Sequence, residues 1–415
     1  MVKKILKMIV FIMVLSLLLS FAGAISAQPD TYELTSQDKV ILTKPAVCFI
    51  TTYFWGYVLD PWEDTWSDAY YRTFVGTGFC VNPDTGHIVT AGHMVEINAA
   101  DFKYDLIRIY LEDTYGTDLD DWTDDDWSWA HENTKVEGSD GGDYDMEVFV
   151  QFDAANVGIP DNPPGDMDTS IRAELIDYSG WEQRDIAILK IQPQTGGALS
   201  SVLIGDSSSV EIQDSLTIIG YPSTGTWGSR PPSITDGNLS GKIMLAGTEV
   251  MLIQESAREG ISGSPVLNQD GEVIGILTRG TDYTNTYLRP SNDVKEMLDS
   301  NGVINTLGMV DEEFKQGLVN YRLEHFSKAI EHFNTVLNLN QRHLQAKIYK
   351  TSSQETIKKE EVITTDGETP SGTTDTPAAE EDRRIFTPGR LFIVVLIVFI
   401  ILAVIIRAVV RRKRR

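Results

Sequence analysis

Gly260-Ile261-Ser262-Gly263-Ser264-Pro265-Val266, followed by Val273-Ile274-Gly275-Ile276-Leu277, is the stretch on which the reading of this 415-residue chain turns. A serine set between two glycines, then a proline and an apolar β-rich run, reads as a tight turn feeding a buried strand. A serine hydroxyl is a weak nucleophile at neutral pH and needs a base within hydrogen-bond reach. Upstream, Gly76-Thr77-Gly78-Phe79-Cys80-Val81 and a turn lead to His87-Ile88-Val89-Thr90-Ala91-Gly92-His93. Between these lies Arg184-Asp185-Ile186-Ala187-Ile188-Leu189-Lys190-Ile191, a carboxylate ahead of an alternating apolar strand. Histidine titrates near neutrality and suits the base, and a carboxylate on its far ring nitrogen would fix the tautomer. The attacked carbonyl then needs donors aimed at its developing charge, which glycines beside Ser262 allow the backbone to supply.

These three motifs, in the order His, Asp, Ser and each beside an expected strand, resemble the chymotrypsin-type (trypsin-like) serine proteases, more closely the HtrA/DegP-like branch. Ile219-Gly220-Tyr221-Pro222, Ser233-Ile234-Thr235-Asp236-Gly237 and Ile253-Gln254 add to the likeness, which covers residues 40–300. The resemblance implies an all-β fold of two six-stranded antiparallel barrels with the site between them. It implies Ser262 as nucleophile, His93 as general base and acid, Asp185 as orienting carboxylate, and the N–H groups of Gly260 and Ser262 as oxyanion hole. No metal or organic cofactor is implied. Glu147, Asp153 and Glu174 are alternative carboxylates, but none introduces as good a strand. Ile261 stands where zymogen-type members carry Asp, so activation by an inserted new N-terminus is not expected. Counting back six from Ser262 puts Ser256 at the base of the specificity pocket, which argues against Lys or Arg and for a small or medium apolar residue. Cys48 and Cys80 fall on expected neighbouring strands of the first barrel, so a disulfide between them is expected in an oxidising compartment.

Short β-rich runs separated by Gly, Pro, Asp and Asn fill the chain from Val40 to Val303, among them residues 46–52, 76–81, 87–90, 186–191, 215–219, 250–254 and 273–277. The protease-like domain is placed at residues 35–302, with an acidic insertion at about 101–178. That insertion holds Asp118-Leu119-Asp120-Asp121-Trp122-Thr123-Asp124-Asp125-Asp126-Trp127-Ser128-Trp129; a solvated face over a local core of Trp122, Trp127 and Trp129 is expected, with no EF-hand spacing for Ca²⁺. From Asp311 the period changes. Phe314, Gly317, Leu318, Tyr321, Phe326, Ala329, Ile330, Phe333, Val336 and Leu337 recur at helical spacing, two amphipathic helices with a turn near Glu324-His325. Residues 303–350 thus resemble one tetratricopeptide repeat, either a helical hairpin leaning on the β domain or a groove for a protein partner. Residues 351–388, rich in Thr, Glu, Ser and Pro, are expected as a disordered stalk.

The two ends set the expected topology. Lys3, Lys4 and Lys7 precede an apolar run and Ala22-Gly23-Ala24, so residues 1–27 read as a signal peptide, or as an uncleaved anchor. Residues 389–410 hold sixteen consecutive apolar residues from Leu391 to Ile406, enough with their flanks for a single transmembrane helix. The basic tail at 411–415 should stay cytoplasmic, placing the body on the extracytoplasmic side. With 60 acidic against 35 basic residues, net charge −25, the chain is no candidate for nucleic-acid binding, because phosphates are repelled. The expected partners are therefore protein or peptide substrates, the membrane, and any protein held by the helical repeat. The competing reading is an interaction protein that uses the repeat and the insertion, with proteolysis secondary or lost.

Overall fold

The structure is a computed structural model that describes residues 31–119, 121–152, 170–192, 197–222, 232–245, 247–254, 260–278 and 286–365. In chain order come α1 (Ser36–Thr43), β1 (Val47–Leu59), β2 (Tyr70–Asn82), β3 (His87–Thr90), α2 (Ala99–Tyr115), α3 (Asp124–Asn133), β4 (Lys135–Glu137), β5 (Asp145–Phe152), β6 (Ile171–Ser179) and β7 (Ile186–Ile191). They are followed by β8 (Ser215–Gly220), β9 (Ser233–Leu245), β10 (Thr248–Ile253), β11 (Pro265–Leu267), β12 (Val273–Leu277), β13 (Thr286–Pro290), α4 (Ser291–Ser300), α5 (Met309–Arg322), α6 (Phe326–Leu339) and α7 (Leu344–Thr365).

The first six-stranded barrel runs β2-β3-β7-β6-β5-β1 and closes by pairing β1 with β2; the second runs β10-β13-β12-β11-β8-β9 and closes by pairing β9 with β10. All ladders within the barrels are antiparallel. Strand alternation explains why the key strands are apolar on both faces. On β7, Ala187, Leu189 and Ile191 face the lumen of the first barrel with Cys48, Ile50, Ile88 and Val150. Ile186 and Ile188 point the other way, into a seam with Phe49, Phe79, Val89, Ile219, Leu267 and Ile276 and with Val294 and Leu298 of α4. Leu216, Ile218, Met251, Ile253, Val266 and Leu288 fill the second barrel. The seam is where the two barrels meet, and the loops at its end carry the three motifs.

The insertion begins where expected, at Ala99, but ends earlier than expected. It is helical, α2 and α3, and finishes near β4, because residues 145–152 and 171–179 are barrel strands β5 and β6. Acidic letters on the solvent side of α2 hid a buried stripe, Phe102, Leu106, Ile107, Tyr110 and Leu111, that packs on Phe54 and Val58 of β1. Asp60, 3% exposed, holds this module to the β1–β2 turn: its carboxylate accepts from the Tyr110 and Tyr115 hydroxyls at 2.6 Å each. Trp122 and Trp127 join that core, whereas Trp129 is 43% exposed and stacks on Trp62.

Cys48 and Cys80 are both free and buried, so the expected disulfide is not formed. The register gives the reason. Cys48 pairs with Gly78 and Val47 with Phe79, so the cysteines are diagonal neighbours across the ladder. Diagonal side chains lie roughly 7 Å apart, beyond the ~4 Å between Cβ atoms that a disulfide needs.

Helices α5 and α6 form the expected hairpin, turning through Glu324 at φ +60°. Gly317 is needed at their crossing, since a Cβ there would stand 2.5 Å from the Phe333 ring. The hairpin is seated on the body. Its core of Val310, Phe314, Ala329, Phe333 and Val336 packs against Ile41, Leu42 and Ala198. Arg322 pairs with Asp38, a residue 1% exposed, at 2.7 Å, and the Asp311 carboxylate accepts from the Ser201 N–H and hydroxyl. Residues 351–365, expected as the start of the stalk, instead continue α7. Among the described residues no helix is long and apolar enough to cross a membrane. The expected signal peptide, the span at 389–410, the basic tail, most of the stalk, Asp153 and Ser256 lie outside the described residues.

Candidate active site

His93 sits in a single helical turn, Gly92–Met94, immediately after β3, and Asp185 directly precedes β7, the strand paired with β3. Neighbouring strands thus deliver base and carboxylate to one place. The Asp185 carboxylate accepts the His93 backbone N–H at 2.8 Å, and its Oδ2 lies 3.0 Å from the ring Nδ1. A carboxylate only accepts, so Nδ1 carries the proton and Nε2 keeps its lone pair for another donor. Asp185 is fully buried, whereas the His93 side chain is 23% exposed and reachable from the cleft.

Local backbone explains the spelling around both residues. Asp185 adopts φ +51°, a left-handed conformation that Asp tolerates better than most side chains, and its N–H donates to Gly180 O at 3.1 Å. Gly92 is required for contact: a Cβ there would stand 2.2 Å from Ser179 O and 3.0 Å from Ile186 N, against the backbone that carries Asp185.

The Ser262 loop comes from the second barrel and is pinned to the first. Gly260 and Gly263 have φ +88° and +84°. The Gly263 N–H donates to Leu277 O at 2.7 Å and the Ser264 N–H to Ile261 O at 3.0 Å, which leaves Ser262 at the crest. Thr77 on β2 is the hub of this contact. Its N–H donates to Ser262 O at 2.8 Å, its hydroxyl donates to Gly260 O at 3.0 Å and accepts from the Tyr221 N–H, and its carbonyl accepts from the Thr90 hydroxyl. The loop also lies against the histidine turn. A Cβ on Gly263 would meet Thr90 Oγ1 at 2.4 Å and Ala91 N at 3.0 Å, and one on Gly76 would meet both Met94 Sδ and Ser262 O. No Ser262–His93 hydrogen bond is formed among the described residues, and neither the Gly260 nor the Ser262 N–H has an acceptor among them.

The structure therefore joins His93 and Asp185 directly and sets the Ser262–Gly263 turn against the strand end that carries His93. Glu147 lies instead on β5, paired with Arg172, and Glu174 on β6 opposite Lys190. Two contributors escaped the sequence reading. Thr77 reads in the sequence as one residue of a glycine-flanked strand, and its hydrogen bonds to residues far along the chain have no local signature. Trp181 stands edge-on to the His93 ring, centroids 6.3 Å apart, and its backbone N–H donates to the Glu96 carboxylate. A tryptophan four residues before Asp185 in a polar turn was the available signal.

Residues 76–276 match the family model of the trypsin-like peptidase domain. Part of the chain is similar to a glutamyl endopeptidase of Staphylococcus epidermidis, 30% identical over 152 residues, 35% of this chain and 49% of that protein. A glutamyl endopeptidase of Staphylococcus aureus strain MW2 is 32% identical over 108 residues, 25% of this chain and 31% of that protein. The chain spans about half the length of the first of these relatives and less of the second. The two closed six-stranded antiparallel barrels fit the chymotrypsin-like fold, in keeping with the trypsin-like peptidase domain matched at residues 76–276.

Proposed function

We propose that this chain is a membrane-anchored, extracytoplasmic serine endopeptidase that cleaves exported or misfolded proteins through an acyl-enzyme. The observation that carries the reading is the His93–Asp185 pair beside a serine turn bracketed by two left-handed glycines. Ser262 Oγ attacks the scissile carbonyl while its proton passes to His93 Nε2. Asp185 stabilises the imidazolium through Nδ1–H, and the N–H groups of Gly260 and Ser262 receive the oxyanion. His93 then protonates the departing amine, which leaves as the C–N bond breaks. Water, deprotonated by the same imidazole, attacks the ester, releases the acid and restores the serine hydroxyl. The chain's own residues suffice for every proton in this cycle.

The anchoring half of the proposal is supported by the apolar run at 391–406 between Arg390 and Arg407 and by the basic termini. For the residue before the cleaved bond, the named relatives raise glutamate, whereas Ser256 by position favours a small or medium apolar residue; a peptide library profiled with the full-length protein separates the two. The test of the activity is casein hydrolysis by Ser262→Ala. The expected loss is roughly a million-fold, and retention of more than a hundredth of the wild-type rate contradicts the proposal.

A further inference from the structure

The loop at residues 180–185 belongs to the first barrel, where it joins β6 to β7, and it carries both Asp185 and the tryptophan that leans on His93. Its own hydrogen bonds are few: Asp185 N and Gln183 N donate to Gly180 O, and Arg184 N donates to Ser179 Oγ. Two of its carbonyls are held from the other barrel. Arg289 on β13 donates from Nη2 to Trp181 O at 3.3 Å, and from Nη1 to the Thr248 hydroxyl at 3.1 Å. The hydroxyl of Thr248, at the start of β10, has Leu245 O at 2.9 Å and Gln183 O at 3.3 Å, so its one proton is shared between the β9–β10 turn and the loop. The two-step relay runs guanidinium, hydroxyl, carbonyl.

Arg289 is an expensive residue for this task. It is 3% exposed, and its buried Nε has no hydrogen-bond partner among the described residues. A buried, partly satisfied cation costs stability relative to a well-packed apolar side chain, so its placement calls for a role other than holding the core together. The surrounding charges define that role. Asp185 and Asp293 both attract the guanidinium, the first from the loop it grips and the second from α4. Arg289 also pairs across the ladder with Ile276 of β12, one residue before Leu277, the carbonyl acceptor of the Gly263 N–H. One side chain therefore spans from the strand that supports the nucleophile turn to the loop that supports the base.

We propose that Arg289, acting through Thr248, is a positioning residue that locks the Trp181–Asp185 loop onto the second barrel and so fixes the His93 imidazole for catalysis. The proposal rests on the endopeptidase reading. Without the lock the loop keeps its place in the first barrel but gains freedom relative to Ser262, and a misplacement of about 1 Å costs up to ~100-fold in rate. Because the lock acts on the imidazole that moves the proton, the loss is expected in kcat.

The test uses full-length protein with Arg289→Met, Thr248→Val and Thr248→Ser. Two readouts are taken: kcat and KM on a short peptide, and amide hydrogen exchange of the segment 180–186 against core strands β8 and β12. Arg289→Met and Thr248→Val are expected to lower kcat roughly tenfold or more with KM within twofold, and to speed exchange in 180–186 alone. Thr248→Ser keeps the hydroxyl and recovers most of the rate, which a packing role for the threonine methyl would not do. Unchanged kcat in a folded Thr248→Val, a loss confined to KM, or faster exchange without any loss of kcat each overturns the proposal. A wild-type protein that cleaves nothing defeats the endopeptidase reading instead, and the exchange data then still decide whether the lock exists.

Discussion

Replacing Thr77 by valine removes one hydroxyl at nearly constant volume and should disable the nucleophile loop more than its size suggests. Thr77 is fully buried, and its Oγ1 both donates to Gly260 O at 3.0 Å and accepts from Tyr221 N at 3.0 Å. Valine can do neither, so a buried carbonyl and a buried N–H each lose that hydrogen bond. At 1–3 kcal/mol for each group left unsatisfied, and with some relaxation, the cost is about 3 kcal/mol. For a body of this size that lowers Tm by roughly 5–10 °C. The same change frees the carbonyl of Gly260, the residue whose N–H the proposed mechanism aims at the oxyanion. Removing one such donor outright costs 100- to 1,000-fold in kcat, so loosening it should cost about 10- to 100-fold. Thermal melts and peptide hydrolysis measure both effects, with Thr77→Ser as the control that keeps the hydroxyl. A Thr77→Val protein with wild-type Tm and kcat would refute the argument that this residue couples the two barrels at the site.

Other expectations follow from single contacts. Gly92→Ala would place a Cβ 2.2 Å from Ser179 O, a backbone atom that cannot step aside, so the His93 turn must lift off Asp185 and kcat/KM should fall by about 100-fold or more; Gly241→Ala, which meets only Leu252 Cδ1 at 3.6 Å, should leave the rate unchanged. Cys48 and Cys80 are fully buried and burial pushes both thiols up, so native protein should give no reaction with a thiol reagent and two equivalents once unfolded; no reaction after unfolding without reductant, restored to two equivalents by reductant, would reinstate a disulfide. Burial lowers His343 to about 4, against an ordinary 6.5 in the unfolded chain. Its folded value being the lower, stability is full above pH 6.5 and declines as pH falls toward 4, by about 3 kcal/mol. Its Nδ1 accepts the Ala346 N–H at the start of α7, so His343→Asn keeps an acceptor without the titration. Denaturant melts between pH 7 and pH 4 should show a flatter stability curve for that variant, and identical curves would rule His343 out.

Much of this architecture is legible in the letters. The alternation in Ile186-Ala187-Ile188-Leu189 and in His87-Ile88-Val89-Thr90 gave strands with the observed bounds, and the three- and four-residue spacing around Phe314 and Phe333 gave the helical hairpin. Base and carboxylate were readable because each sits at the end of such a strand. What escaped was non-local. Strands β5 and β6 alternate polar with lumen residues as strands should, but the acidic run before them suggested one long excursion that took them in. The missed disulfide geometry is a register question, and a shift of two residues cannot be seen in either strand alone. Thr77, Trp181 and Arg289 act on residues 88 to 183 positions away, where no local pattern reports them.

Covalent labelling tests the central claim most directly, because a fluorophosphonate reacts only where a hydroxyl, an imidazole and oxyanion donors act together. Full-length protein treated with such a probe and mapped by mass spectrometry should carry a single adduct on Ser262. The adduct should vanish in His93→Ala and form at least ~100-fold more slowly in Asp185→Asn. An adduct elsewhere, or labelling of Ser262 at the wild-type rate without His93, would contradict the account.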